Sequence, residues 1–334
     1  MARRKRQWPP VGEALPAPVM DNHTHLPLHE GEIPAADGYK MPLEEQMRRA
    51  SEVGVTSMIT VGCALPDLEP TLELARRFPQ VKAAVAIHPN EAALHAGHLE
   101  RSPDGFDHEL EEHHHVPLVV ALERVSELAR DREVVAIGET GLDFFRTAEP
   151  GREAQEESFV AHLAMGRVLG LPVQIHDRDA HDATVRVLHD SAWGDQAIVF
   201  HSFSGDRHLA KEVRDNGWYA SFSGQLTFSR NDELRAAFLE IPKNRVLVET
   251  DAPYLTPVPY RGDPNASYVM VHTVAQMARL WELPLVDACE ILMENSRALY
   301  GQWSSAFDGA SYQTRRHLSL NEHEEDDDWN GNQG

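Results

Sequence analysis

Short apolar runs recur along most of the chain and predict buried strands. Eight such runs lie near residues 19–22, 57–61, 82–87, 134–137, 172–175, 197–200, 218–222 and 245–248. Most are continuous in apolar residues instead of alternating with polar ones, as expected for parallel strands buried on both faces. The pattern therefore predicts a parallel sheet or barrel.

Segments between the runs carry helical spacing. One has Phe159, Val160, Leu163, Ala164 and Val168 before Gly170-Leu171-Pro172, and another has Leu209, Ala210 and Val213 before Asn216-Gly217. Glycine just after such a stretch is typical of a helix C-terminus. Strand and helix alternate eight times over about 280 residues, which predicts an α/β fold, a single (β/α)8 TIM barrel with its active site at the C-terminal ends of the strands.

Both ends of the chain lie outside this repeat. Residues 1–18 form a basic, proline-rich N-terminal extension, residues 19–301 the barrel domain, and residues 302–334 an aperiodic tail. The tail carries seven acidic residues against two arginines. Such a composition cannot bury a core, so we expect a disordered acidic tail.

An insert at residues 91–117 follows the third strand. It contains six histidines: His95, His98, His108, His113, His114 and His115. Because the insert follows a strand end, we expect it over the mouth of the barrel. Two interpretations stay open, a solvated variable loop on one side and an accessory metal site or substrate gate on the other.

The composition is that of a soluble globular chain. Of its 334 residues 42% are apolar, and no apolar stretch approaches the roughly 20 residues of a membrane span. The basic N-terminus has no apolar region after it, which argues against a secretory signal and predicts a cytoplasmic protein. Cys63 and Cys289 are far apart, and we interpret both as small buried hydrophobic residues.

The net charge of −22 limits the kinds of partner. Residues 91–118 and 302–334 together account for half of this charge. The remainder is still acidic, so a long basic groove that follows many phosphates is not supported. Any contact with nucleic acid is expected to be short and centred on metal. Neither a membrane nor an obligate protein partner is indicated.

Six potential metal ligands stand where the apolar runs end. They are His23, His25, Glu139, His176, His201 and Asp251. The C-terminal ends of parallel strands meet on one face of a barrel, so one site can collect all six. This regular placement predicts a two-metal hydrolase.

The six residues suggest ligation for different reasons. His23 and His25 are two apart, so both side chains project to the same side of an extended strand, and two core histidines at this spacing are the weaker interpretation. Glu139 has two oxygens, which suits a bridge between two cations. For His176 and His201, a lone buried histidine bonded to the backbone stays an alternative.

With these motifs the chain resembles the TatD-type metal-dependent deoxyribonucleases of the amidohydrolase-like metal barrels. The resemblance covers about residues 19–301 and departs at the 91–117 insert and at both termini. The matching segments are DNHTHL (21–26), IHP (87–89), GETGLD (138–143), QIHDR (174–178), HSFSG (201–205) and ETDAPYL (249–255).

The resemblance implies roles for these residues. One cation would be held by His23, His25, Glu139 and Asp251, and a second by Glu139, His176 and His201. Asp251 would accept the proton of the attacking water, with Glu139 as the catalytic bridge. His88 and Arg178 would contact a phosphate oxygen, although a strand-end hydrogen bond is an alternative for His88. Tyr254, Phe228 and Tyr260 could stack on a base or pack within their loops.

The implied function is that of a metal-dependent phosphodiesterase, a 3′–5′ exodeoxyribonuclease acting on DNA 3′ ends. Endonucleolytic cutting and RNA as substrate stay open. The rival interpretation is hydrolysis of small amides, lactones or phosphate esters on the same barrel. A non-catalytic scaffold is disfavoured, because six polar groups in one pocket are costly to keep. Two divalent cations per chain are expected, and zinc, manganese, iron and magnesium all suit the donors.

Overall fold

A barrel of eight parallel strands forms the centre of the molecule. The computed structural model describes residues 5–303. The strands are β1 (Val19–Thr24), β2 (Val55–Gly62), β3 (Val81–Val85), β4 (Val134–Asp143), β5 (Val173–Arg178), β6 (Ile198–Phe200), β7 (Tyr219–Phe222) and β8 (Val246–Val248). Each pairs in parallel with the next along the chain. All eight predicted strands are confirmed, as is the TIM-barrel class.

The first and last strands meet through separate hydrogen bonds. The Asn22 side chain donates to the carbonyl of Val248 over 2.8 Å. Beyond the strand ends, the Asp251 N–H donates to the His23 carbonyl over 3.0 Å and the His25 N–H to the Ala252 carbonyl over 2.8 Å. The nearly closed barrel thus brings two of the predicted ligand segments together.

Within residues 5–303, ten α-helices surround the barrel or connect its strands. They are α1 (Leu43–Glu52), α2 (Leu68–Arg77), α3 (Pro89–His95), α4 (Leu118–Leu128), α5 (Arg152–Leu169), α6 (His181–Ser191), α7 (Arg207–Asp215), α8 (Asp232–Glu240), α9 (Val271–Leu280) and α10 (Leu285–Tyr300). A two-stranded hairpin of Ala35–Ala36 and Tyr39–Lys40 stands apart from the barrel. None of the helices within residues 5–303 is long and apolar enough to cross a membrane.

Helix α5 forms where the apolar spacing predicts it and buries Phe159 and Leu163, but not every apolar residue of that spacing. Val160 and Val168 are exposed, whereas His162 and Gly166 face the barrel. A Cβ on Gly166 would lie only 2.5 Å from Val173 Cγ2, so glycine permits the close approach of helix and strand. Spacing located the helix and two of its buried residues, whereas the burial of His162 and Gly166 depends on how the helix meets the barrel.

Residues that alternate along the strands belong to two separate apolar clusters. Met20, Ile59, Val135, Val199 and Leu247 belong to a cluster distinct from the larger strand–helix core. This inner cluster also includes Trp303, whose indole Nε1–H donates to the Gln80 carbonyl just before β3. Trp303 therefore covers the end of the barrel opposite the strand C-termini. Apart from residues 302 and 303, the predicted 302–334 tail lies outside the described residues, as do residues 1–4 of the predicted N-terminal extension.

Candidate metal centre

The strand ends bring all six predicted ligands to one mouth of the barrel. His23 lies within β1 and His25 just after it, Glu139 within β4, and His176 within β5. His201 follows β6, and Asp251 lies three residues after β8. All but His23, which lies beneath the surface, line a cavity of about 930 Å³.

Glu139 lies at the middle of this group. Its Oε1 is 3.5 Å from His25 Nε2 and 3.9 Å from His23 Nε2. Its Oε2 is 2.5 Å from His201 Nε2 and 3.2 Å from His176 Nδ1. Each oxygen therefore faces a different pair of imidazoles, an arrangement that suits a carboxylate shared between two cations.

The first pair has an imidazole nitrogen that lacks a protein partner. His23 Nδ1 is 2.9 Å from Gln174 Oε1, which can only accept, so this nitrogen carries the proton. His23 Nε2 is buried and has no hydrogen-bond partner among the described residues. The Nε2 lone pair points toward Glu139 and is available to a cation. A bound cation would remove the free-energy cost of burying this lone pair without a partner. Asp251 Oδ1 lies 3.5 Å from His25 Nε2 and completes this group.

The second pair is oriented by carboxylates behind it. His201 Nδ1 lies 3.4 Å from Glu249 Oε1, and His176 Nε2 lies 3.2 Å from Asp143 Oδ2. His201 Nε2 and His176 Nδ1 are 3.4 Å apart, and both face Glu139 Oε2. A carboxylate on the far nitrogen fixes the ring and makes the near nitrogen a better metal ligand.

The charges of these groups depend on one another. Burial would raise the pKa of Glu139, but His201 and His176 hold it well below its usual value. Burial also opposes charge on His176, yet hydrogen bonds with Asp143 and Glu139 raise its pKa to about 9. The pKa of His201 is raised well above its usual value, since Glu139 outweighs burial. The protein without metal therefore holds protons that a cation must displace.

Three orienting residues were not singled out from the sequence. Gln174, Asp143 and Glu249 are almost wholly buried polar side chains. Gln174 also donates to the Asn22 carbonyl and to the Tyr300 hydroxyl, each over 2.9 Å. Their placement in the sequence could have identified them, because a polar residue inside or beside an apolar strand run needs a hydrogen-bond partner.

Cys63 does not occupy the apolar core that was predicted for it. It is half-buried at the cavity wall, and its thiol donates to Glu139 Oε1 over 3.4 Å. Burial and then the charge of Glu139 raise the pKa of this thiol well above its usual value, so it stays protonated. Its position just past the end of β2 explains the difference, since that end faces the cavity. Cys289 is buried in α10, as predicted.

The two predicted phosphate contacts both line the cavity. His88 also caps α3, and its Nδ1 accepts from the Asn90 N–H over 3.1 Å. Burial lowers the pKa of His88 to about 4, so the neutral ring carries its proton on Nε2 and can donate it. Arg178 is exposed and stacks on Phe145, with its guanidinium carbon 3.9 Å from the ring centre.

Of the three aromatic residues considered for base stacking, only Tyr254 is placed for it. Tyr254 lines the cavity with 62% of its surface exposed. Phe228 is buried beneath the guanidinium of Arg261. Tyr260 packs against His272, with 5.3 Å between ring centres.

The class that this arrangement defines is a metal-dependent hydrolase on a β/α barrel. Nitrogen and carboxylate donors converge on one shared carboxylate at the catalytic face of the fold, and the donor types suit a transition cation. The chain belongs to the TatD family, since the family described as TatD related DNase matches residues 20–301.

Two similar bacterial proteins are named as a metal-dependent hydrolase and as a nuclease. The chain is 41% identical over 283 residues to the uncharacterized metal-dependent hydrolase YcfH of Escherichia coli K12, covering 84% of this chain and 95% of YcfH. It is 32% identical over 237 residues to a protein of Enterobacter lignolyticus named 3′-5′ ssDNA/RNA exonuclease TatD, covering 69% of this chain and 82% of that protein.

A solved structure shares the fold. The TatD homolog YjjV of Escherichia coli K12 superimposes with a TM-score of 0.70 at 24% identity, covering 85% of this chain and 98% of YjjV. At this level of identity the likeness concerns the fold alone.

Proposed function

We propose that this protein is a two-metal phosphodiesterase that removes nucleotides from the 3′ end of DNA. The observation that carries the proposal is the central Glu139 carboxylate, whose two oxygens face two separate groups of donors. His23, His25, Glu139 and Asp251 would hold one cation, and Glu139, His176 and His201 the other. When bound, the cations would lower the pKa of an attacking water and neutralise charge on the phosphate.

Asp251 is the proposed proton acceptor. It lies at the cavity surface, with 13% of its side chain exposed, and its Oδ1 is 3.5 Å from His25 Nε2. Its N–H donates to the His23 carbonyl, which fixes the carboxylate beside the first cation group. A positioned carboxylate at this place can take the proton of a water that attacks from the cavity side.

His88 and Arg178 are the proposed phosphate contacts. The His88 ring lies edge-on to His176, with 4.6 Å between ring centres, so its Nε2–H can donate next to the second cation group. Arg178 is planar, exposed and held against Phe145, so it can offer two parallel N–H groups to a phosphate. Tyr254 offers an exposed ring for a terminal base.

A strand end suits this cavity better than the interior of a duplex. The Glu139 and His201 side chains are only 7% and 4% exposed, so a phosphodiester must enter the mouth to reach them. The cavity is also lined by the carboxylates of Glu32 and Asp67, which oppose a long phosphate track. The name of the Enterobacter relative supports the same substrate class.

A panel of substrates tests the proposal. Metal-loaded protein would be incubated with end-labelled single- and double-stranded DNA, with RNA, and with small esters and lactones. We expect a ladder of DNA shortened from the 3′ end. Arg178→Ala should raise KM for DNA, whereas exposed Arg132→Ala, outside the cavity, should not. Turnover of lactones or small esters without shortening of DNA would overturn the proposal and favour the rival hydrolase.

A further inference from the structure

A second group of imidazoles surrounds one carboxylate where the later part of the insert, residues 96–117, packs on α3, which contains the insert's first residues. Glu91 lies in the first turn of α3, and His113 and His114 lie in a short 3₁₀ turn, Glu112–His115. Glu91 Oε2 is 2.9 Å from His113 Nε2 and 3.0 Å from His114 Nε2. One carboxylate oxygen therefore meets two imidazole nitrogens, as Glu139 Oε2 does in the main centre.

His95 adds a buried nitrogen that lacks a partner. It closes α3, is 6% exposed, and its ring centre lies 5.7 Å from that of His113 and 5.4 Å from that of His114. Its Nδ1 is 2.8 Å from the Val116 carbonyl, which can only accept, so Nδ1 carries the proton. Its Nε2 is buried with a free lone pair and has no hydrogen-bond partner within residues 5–303.

The two remaining histidines differ in what they can do. His114 Nδ1 accepts from the Glu111 N–H over 2.8 Å, so its Nε2 holds the proton and donates to Glu91. His113 Nε2 donates to Glu91 over 2.9 Å, and a cation bound there would displace this proton; the Glu111 carboxylate, 3.7 Å from His113 Nδ1, can then face a proton on Nδ1. His113 is thus available as a ligand, while His114 positions the carboxylate of Glu91.

We propose that Glu91, His95 and His113 form an accessory site for one divalent transition cation, with His114 as a positioning residue. Two imidazoles and one carboxylate suit zinc better than magnesium or calcium, and a water would complete a tetrahedral shell. The main centre contributes none of these residues. The site favours the accessory-metal interpretation of the insert over the solvated loop.

The site would fasten the part of the insert that follows α3 to α3 itself, which borders the catalytic cavity. Helix α3 starts at the cap residue His88, and the Asn90 side chain in its first turn donates to Asp143 over 3.2 Å. On its other side the insert holds Arg146, through an Asp104 ion pair of 2.8 Å. A cation between α3 and the 3₁₀ turn would therefore order one wall of the cavity.

Metal content of the full-length protein tests this site. Chelator-stripped protein would be reloaded with Zn²⁺, gel-filtered and analysed for bound zinc, and titrated separately with Co²⁺ by visible absorption. We expect wild type to hold one more zinc per chain than Glu91→Ala/His113→Ala. The matched control is His115→Ala, an exposed neighbour in the same turn, which should retain the wild-type content.

Two further variants keep the test decisive. His95→Gln preserves much of the side-chain volume and should lose the same zinc if the double variant fails to fold. His114→Ala should keep the zinc but bind it about 10- to 100-fold more weakly, as expected for loss of an orienting partner. Equal zinc content in wild type and His95→Gln would overturn the proposal. Because metal content is the readout, such a result would leave the proposed nuclease function untouched.

Limited proteolysis supplies a second readout. Zinc should protect residues 96–111 from cleavage in wild type and in His115→Ala, but not in His95→Gln. Protection that is the same with and without zinc in wild type would also contradict a cation that fastens the insert.

Discussion

Single side chains decide how the main centre can bind metal. Glu139 lies between the two donor groups, Gln174 accepts the Nδ1 proton of His23, and Glu249 lies 3.4 Å behind His201 Nδ1. The six proposed ligands were recognisable from their positions after apolar runs. The residues behind these ligands were not recognisable, because their contacts depend on which strands are neighbours in the barrel.

Replacing the shared carboxylate should affect both cations at once. In Glu139→Ala we expect metal stoichiometry and activity to fall together, since both donor groups lose a ligand. In His201→Ala only one site should weaken, because the first group keeps His23, His25 and Asp251. Elemental analysis of gel-filtered protein measures this. Two tightly bound cations in Glu139→Ala would show that the carboxylate is not a bridge.

Asp251→Asn should separate binding from chemistry. The amide keeps the shape and one ligand oxygen but loses basicity, so metal content should stay partly intact. Turnover should fall by the roughly 10²- to 10⁴-fold typical of a lost general base. Single-turnover rates on metal-replete protein measure the effect. A near-normal rate would assign the proton transfer to another group.

Glu249→Gln tests the orienting role behind His201. Burial raises the pKa of Glu249, although His201 opposes the shift, and its carboxylate also accepts the Ser202 N–H over 2.7 Å. Gln keeps the size but can turn an N–H toward His201, so affinity for the second cation should fall about 10- to 100-fold. Chelator competition gives the affinity, with exposed Glu233→Gln as control. Unchanged affinity would mean that His201 needs no carboxylate behind it.

At the scale of elements, close backbone contacts hold the ligand strands in register. A Cβ on Gly138 would lie 2.6 Å from Gln174 Cβ, and one on Gly141 would lie 2.2 Å from the His176 carbonyl oxygen. Strands β4 and β5 therefore approach closely at the point where each carries a ligand. Gly138 directly precedes Glu139 in the sequence.

Gly141→Ala should be strongly destabilising. Gly141 has a φ of +129°, which side-chain-bearing residues rarely adopt, and the added methyl group meets backbone that cannot move aside. We expect a loss of about 3 kcal/mol or more in the free energy of unfolding. Urea denaturation gives the value, and Gly194→Ala, which has open space around it, is the control. Equal midpoints for the two variants would rule out the close contact.

At the scale of the whole molecule, the centre couples proton binding to metal binding. The pKa of His176 is raised to about 9, so its contribution to the stability of the metal-free protein is fully present below its unfolded value near 6.5 and is lost as pH rises through about 9. Metal ligation needs the neutral ring, so metal affinity should change in the opposite direction and rise with pH.

Calorimetry checks this sign. Titration of chelator-buffered Zn²⁺ into metal-free protein at pH 7, in buffers of different ionisation enthalpy, should show net release of protons from His25, His176 and His201, whose pKa values are all raised. The release should shrink above pH 9, when His176 has already lost its proton. Metal binding at pH 7 without proton release would mean that the imidazoles are neutral before the cation arrives.

The sequence by itself determined the eight strands, the barrel and the six residues that meet at its mouth. Strand positions follow from local apolar runs, and in a parallel barrel every strand end faces the same side, so local pattern was enough. Helical spacing likewise predicted the position of α5 and the burial of Phe159 and Leu163, but not the burial of His162 and Gly166.

Only the tertiary structure decided which residues stand behind the ligands and beside them. Cys63 reaches Glu139 across 76 positions of sequence, and Glu91 meets His113 across 22. Gln174 meets His23 because β1 and β5 face each other across the barrel interior. Such pairings depend on strand register and on how the insert folds back onto α3, and no local periodicity encodes either.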